Sequence, residues 1–186
     1  MQLKQKLSKW ILNLFNWKVI VTVPKLDKSV ICVAPHTSNW DFIIGKIGYT
    51  SVGMTAHFLI KKEWFIFPFN LIFKAMGGIP VERSRKTKLI DQVVNMFNKY
   101  PVFNVAITPE GTRKRNEHWK KGFYYIALKA GVPIQLAYLD FERKVLSIEK
   151  VFIPTGDEKA DFTYINEYFK NVKGRHPDQF ALHKIS

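Results

Sequence analysis

Four residues separate His36 from Asp41 in Ala34-Pro35-His36-Thr37-Ser38-Asn39-Trp40-Asp41-Phe42. A histidine by itself is ordinary, but one held by a carboxylate is a base. The carboxylate fixes which ring nitrogen carries the proton and leaves the other free to take one. On one unbroken helix the two side chains would point about 140° apart and could not meet. They meet if His36 lies in a loop and Asp41 in the first turn of the helix that follows. Pro35 closes the preceding apolar run, and Thr37, Ser38 or Asn39 can cap that helix. Asp41 near a helix start is favoured as the anion.

Two further motifs suit an anionic group. Gly78-Ile79-Pro80-Val81-Glu82-Arg83-Ser84 brings Arg83, whose neighbours Arg85, Lys86 and Lys88 read as solvated surface. Pro109-Glu110-Gly111-Thr112-Arg113 combines a glycine for close backbone approach, a hydroxyl, and a guanidinium able to fork onto phosphate. Glu110 is an acid in a basic stretch. It either orients Arg83 or Arg113, or binds a substrate hydroxyl. No serine or cysteine lies in a nucleophile-elbow pattern. A base beside an anion site therefore points to direct transfer onto a phosphorylated or otherwise acidic substrate, with His36 activating the substrate's own hydroxyl.

The elements that must position these residues follow from periodicity. Strands are predicted at 29–34, 56–60, 79–82, 102–107 and 133–139, with 144–153 pairing beside the last. Helices are predicted at 40–52, 87–100, 121–130 and 161–172. This alternation predicts an α/β fold with a largely parallel central sheet flanked by helices, preceded by an N-terminal amphipathic helix. His36, Arg83 and Glu110 each follow a strand, so all three would gather at the carboxyl edge of the sheet, where ligands bind in such folds. The tail after Gly174 is polar and reads as loosely held.

With 186 residues and 47% apolar content, the chain can form one domain with a real core. It carries 29 basic against 15 acidic side chains, a net of +14, and that surface seeks phosphate, nucleic acid or an acidic membrane leaflet. The single cysteine, Cys32, sits in an apolar strand and reads as a buried thiol in a reducing, cytosolic setting. His57, His118, His176 and His183 lack a matching carboxylate pattern and zinc-ligand spacing, and read as surface or structural residues. No apolar run is long enough for a transmembrane helix, and the N-terminus does not read as a secretory signal.

Residues 1–18 place Leu3, Leu7, Trp10, Ile11, Leu14 and Phe15 on one helical face, with Lys4, Lys6, Lys9 and Lys18 off that stripe. This is the pattern of a helix lying in a membrane interface, or of one packed on its own domain. Trp64-Phe65-Ile66-Phe67-Pro68-Phe69-Asn70-Leu71-Ile72-Phe73, flanked by Lys61, Lys62 and Lys74, presents the same choice between an interfacial loop near an acyl channel and core packing. The expected division is 1–18 as a membrane-surface helix and 19–186 as the catalytic domain.

Taken together the motifs resemble the glycerolipid acyltransferase family, typified by lysophosphatidic acid acyltransferases. The family's His-x4-Asp block is matched by His36 and Asp41. Its Gly-to-Arg block is matched by Gly78 to Arg83, its Pro-Glu-Gly-Thr-Arg block by Pro109 to Arg113, and its apolar block around a proline by Val132-Pro133-Ile134. Thr108, Glu82 and Gln135-Leu136-Ala137 depart from common family choices. The resemblance spans roughly residues 29–140. It implies that His36 and Asp41 are catalytic, that Arg83, Glu110, Gly111, Thr112 and Arg113 bind the acceptor's phosphate, and that no metal or bound cofactor is needed. It also implies acyl-CoA or acyl carrier protein as donor and a lysophospholipid such as 1-acyl-glycerol-3-phosphate as acceptor, in phospholipid biosynthesis. The protein would be peripheral or monotopic on an anionic membrane surface, at the cytoplasmic face.

Two other readings compete. A thioesterase or lipid hydrolase would use the same His36 to activate water. A nucleic-acid-binding module would use the basic charge, but the aromatics cluster in apolar runs instead of alternating with basic residues, so no nucleic acid is expected as a partner.

Overall fold

The computed structural model describes residues 2–82 and 86–185. Helix α1 (Gln2–Leu14) leads into strand β1 (Lys18–Val21) and then β2 (Lys28–Val33). Helix α2 (Trp40–Ser51) precedes β3 (His57–Lys61), α3 (Phe69–Ala75) and β4 (Gly78–Val81). Helix α4 (Lys86–Lys99), β5 (Phe103–Ile107), α5 (Gly122–Ala130), β6 (Ile134–Asp140), β7 (Val145–Phe152) and α6 (Glu158–Phe169) complete the order. The strands form one sheet in the order β1-β7-β6-β2-β5-β3-β4. The pairs β2–β6, β2–β5, β5–β3 and β3–β4 are parallel, and β6–β7 is an antiparallel hairpin. The predicted α/β architecture is therefore the observed one.

Strand β1 has no counterpart in the sequence-based prediction. It runs only from Lys18 to Val21, directly after α1, and pairs in parallel with β7 in the register Lys18–Val145. Its partner lies more than a hundred residues away, so nothing local announces it.

Apolar side chains on the two faces of the sheet build two cores. Val30, Cys32, Val105, Ile134 and Leu136 pack with Phe97, Phe123, Tyr124, Phe162 and Phe169 from α4, α5 and α6. Ile31, Leu139, Leu146 and Ile148 pack on the other face with Leu12 of α1 and Tyr49 of α2. Strand β6 is buried along its whole length, as a central strand covered on both faces must be. Gly131 ends α5 in the left-handed conformation at φ 63°, where glycine lacks the Cβ penalty.

The C-terminal tail is anchored, contrary to the sequence-based expectation. Trp119 is buried; its indole Nε1 donates to Ala181 O at 2.9 Å, and its backbone N–H donates to His183 Nδ1 at 3.1 Å. Asn166 and His183 exchange two hydrogen bonds. Burial holds His183 below its ordinary pKa, so it serves as a neutral structural acceptor. Polar composition hid these ties because they are made largely through backbone groups.

Helix α1 turns Leu12 and Ser8 inward against α2 and leaves most of the predicted stripe outward, with Ile11 half-buried. Leu3, Leu7, Trp10 and Leu14 are between 55% and 80% exposed. The aromatic stretch behaves alike: Trp64 is 64% and Phe67 78% exposed, with Ile66, Phe69, Leu71 and Ile72 also open. The exposed side chains of both stretches stand outside the core, to which Leu12 and Trp17 belong. Among the described residues, no helix is long and apolar enough to cross a membrane.

Candidate active site

The loop from Ala34 to Asn39 joins β2 to α2 at the carboxyl edge of the parallel strands. His36 Nδ1 lies 3.1 Å from Asp41 Oδ2, with the Asp41 side chain 2% exposed and that of His36 22% exposed. The helix start is built differently from the sequence-based expectation. Asn39 occupies the cap position but its side chain makes no cap bond. Instead Asp41 reaches back into the loop, where Oδ2 accepts from Thr37 N and Ser38 N, both at 2.8 Å, and Oδ1 accepts from Ser38 Oγ at 2.7 Å. Burial alone would raise the Asp41 pKa, but the bonds from His36 and Ser38 outweigh it and hold the carboxyl below its usual value. An ionised Asp41 accepts the proton on Nδ1, which leaves Nε2 as the basic nitrogen.

Strand β5 delivers the second motif beside the first. Glu110 follows β5, the parallel neighbour of β2, and its Oε1 accepts from His36 N at 2.8 Å. Among the described residues the Glu110 side chain is bonded to the backbone of the histidine, not to Arg113; the alternative of orienting Arg83 lies outside the described residues. Its Oε2 is buried without a hydrogen-bond partner among the described residues. Burial, only partly offset by the bond from His36 N, pushes the Glu110 pKa up to about 7. Asn116 Nδ2 donates to Glu110 O at 2.9 Å and so closes the loop from below.

Gly111 takes φ 63°, and a Cβ there would meet Lys120 Cδ at 2.6 Å. The glycine thus serves both the turn and the close passage of a lysine chain. Thr112 Oγ1 accepts from Lys114 N at 3.2 Å. Exposed Arg113 donates through Nη1 to Asn39 Oδ1, tying this loop to the start of α2. His36, Asp41, Glu110, Gly111, Thr112 and Arg113 therefore come together on one edge. Arg83 lies outside the described residues. Asn116 and Lys120 are contributors that the sequence did not single out, and Asn39 entered only as a candidate helix cap; an asparagine in a polar loop carries no periodic signal. Among the described residues, no group of three or more His, Cys, Asp or Glu side chains could hold a metal ion.

The family model described as Acyltransferase matches residues 16–138, more than half of the chain and including both loops. The chain belongs to the acyltransferase family. This makes it an enzyme of the acyl-transfer class, as the His36, Asp41 and Pro109–Arg113 motifs imply. No curated protein matches the acyltransferase by sequence. Its fold is similar to a solved structure titled 1-acyl-sn-glycerophosphate (LPA) acyltransferase, PlsC, from Thermotoga maritima. That match has TM-score 0.64 and 22% identity, and covers 91% of this chain and 76% of the other.

Proposed function

We propose that this acyltransferase moves a fatty acyl group from acyl-CoA or acyl carrier protein to the free hydroxyl of a lysophospholipid such as 1-acyl-glycerol-3-phosphate, at the cytoplasmic face of the membrane. The observation that carries this reading is the bond between His36 Nδ1 and the buried Asp41 carboxylate. His36 Nε2 takes the proton of the acceptor hydroxyl as its oxygen attacks the thioester carbonyl. The tetrahedral species collapses, the carbon–sulfur bond breaks, and the thiolate recovers the proton from His36. Asp41 holds the imidazole in the useful tautomer and stabilises the imidazolium formed in between.

The acceptor's phosphate is assigned to Arg83 and the Glu110–Arg113 loop, with Arg113 as the forked donor. The membrane assignment draws support from the outward stripe of α1, bordered by exposed Lys4, Lys6 and Lys9, and from the exposed aromatics of 64–72. The 1–18 segment is then the membrane-surface element and 19–186 the acyltransferase domain.

The test is thiol release from palmitoyl-CoA with and without lysophosphatidic acid, followed by lipid analysis. Acceptor-dependent release with a new diacyl product is the expected result. Release independent of acceptor would replace this reading with the thioesterase.

A further inference from the structure

The segment Lys173-Gly174-Arg175-His176 lies outside every motif read above, yet it meets the His36 loop at two points and the first residue of α2 at a third. Gly174 is buried against it: a Cβ on Gly174 would fall 2.9 Å from Thr37 Oγ1 and 3.0 Å from Pro35 Cβ. His176 N donates to Thr37 Oγ1 at 3.2 Å. The Arg175 guanidinium stands over the Trp40 ring, 5.4 Å from its centroid. The segment is itself rooted on the β6–β7 turn. Phe141 N donates to Lys173 O at 2.9 Å, and Lys173 N donates to Asp140 Oδ2 at 3.4 Å. Asp140 is buried and also holds Arg143 through its carboxylate.

Thr37 is the hinge of this arrangement. Its hydroxyl receives the segment, and its backbone N–H donates to the same Asp41 oxygen that holds His36. We infer that residues 173–176 form a strap that positions the His36–Asp41 pair through Thr37, making Thr37 and Gly174 positioning residues for acyl transfer. The strap's hydrogen bond and ring contact with this part of the chain are to Thr37 and Trp40, not to the His36 ring, among the described residues. It fixes the backbone on which the base is mounted, and small displacements of a base are costly in rate.

The rate readout of this inference rests on the acyl-transfer reading, so a second readout is taken that does not. Thr37→Val keeps the branched shape and the backbone donor but leaves His176 N without its acceptor. Its kcat for acceptor-dependent transfer is expected to fall about tenfold, with KM for lysophosphatidic acid and acyl-CoA unchanged. Thr37→Ser restores the rate. Gly174→Ala, which forces a methyl against Thr37 and the Pro35 ring, is expected to cost about a hundredfold in kcat. Ring 15N shifts of His36 are recorded on the same proteins. Wild type is expected to show the proton on Nδ1, and Thr37→Val a mixture of tautomers. Wild-type kcat together with unchanged 15N shifts in Thr37→Val would overturn the inference. So would a loss in Thr37→Val that Thr37→Ser does not restore, or one that follows the melting temperature alone. If wild type transfers no acyl group, the reaction reading fails, and the 15N comparison alone decides the strap.

Discussion

The Asp41 carboxylate accepts four hydrogen bonds from its own loop and from His36. Between Trp64 and Ile72, six large apolar side chains stand in water. The first region closes on itself, and its geometry is set by the chain alone. The second is unfinished, because apolar area left in water is stabilised only when something else covers it. A site that does chemistry needs the first arrangement, and a surface that meets lipid, as proposed for this stretch, needs the second. One chain can hold both because they are built on different elements: the β2–α2 loop, and the stretch before and within α3.

Four experiments would break or sharpen this contrast. His36→Ala should lower transfer by about 10²–10⁴-fold while the fold and vesicle binding persist; steady-state kinetics beside a vesicle co-sedimentation assay checks it, and retained activity would reject the base. Glu110→Gln addresses the one part of the closed region that is not satisfied. Because the folded-state pKa of Glu110 is raised from 4.5 to about 7, its contribution to stability is fully present below pH 4.5 and is lost as pH rises to 7. The loss is about 3 kcal/mol. Denaturant melts between pH 4 and 8 should show this decline in wild type and a flatter profile in the variant. An equal decline in both would mean that Glu110 does not carry it.

For the open region, Phe67→Ser should weaken partitioning onto anionic vesicles by about tenfold, the equivalent of one buried aromatic side chain, and leave the melting temperature unchanged. A lower melting temperature with unaltered partitioning would return Phe67 to a structural role. The smallest effect is expected from salt. Raising it should loosen vesicle binding modestly by screening Lys4, Lys6 and Lys9; indifference to salt would leave the apolar stripe as the whole attraction.

The sequence made some of this legible and not the rest, for physical reasons. Strands 29–34 and 102–107 were readable because buried parallel strands are continuous apolar runs, and they bring His36 and Glu110 together without further information. The outward turn of α1 was not readable, because periodicity gives the width of an apolar stripe but not the direction it faces. Leu12, the residue that docks α1, lies off the stripe that periodicity picked out. The role of Gly174 was hidden too: a glycine a few residues past a helix reads as a simple stop, and its contact with Thr37 spans most of the chain. Glu110 was legible as a site residue but not as a partner of the His36 backbone, since side-chain chemistry alone favours an arginine.

Because β7 runs against β6 and β1 runs with β7, β1 begins at the edge where the parallel strands end. The last turn of α1 therefore arrives at that same edge. Trp17 meets the Phe141 ring at 5.1 Å, and Phe141 bonds Lys173 of the segment that lies on Thr37. If α1 lies in the lipid surface as proposed, the base stands at the waterline. An acceptor would then reach it by drifting sideways within its own leaflet, a search in two dimensions that never requires its acyl tail to enter water.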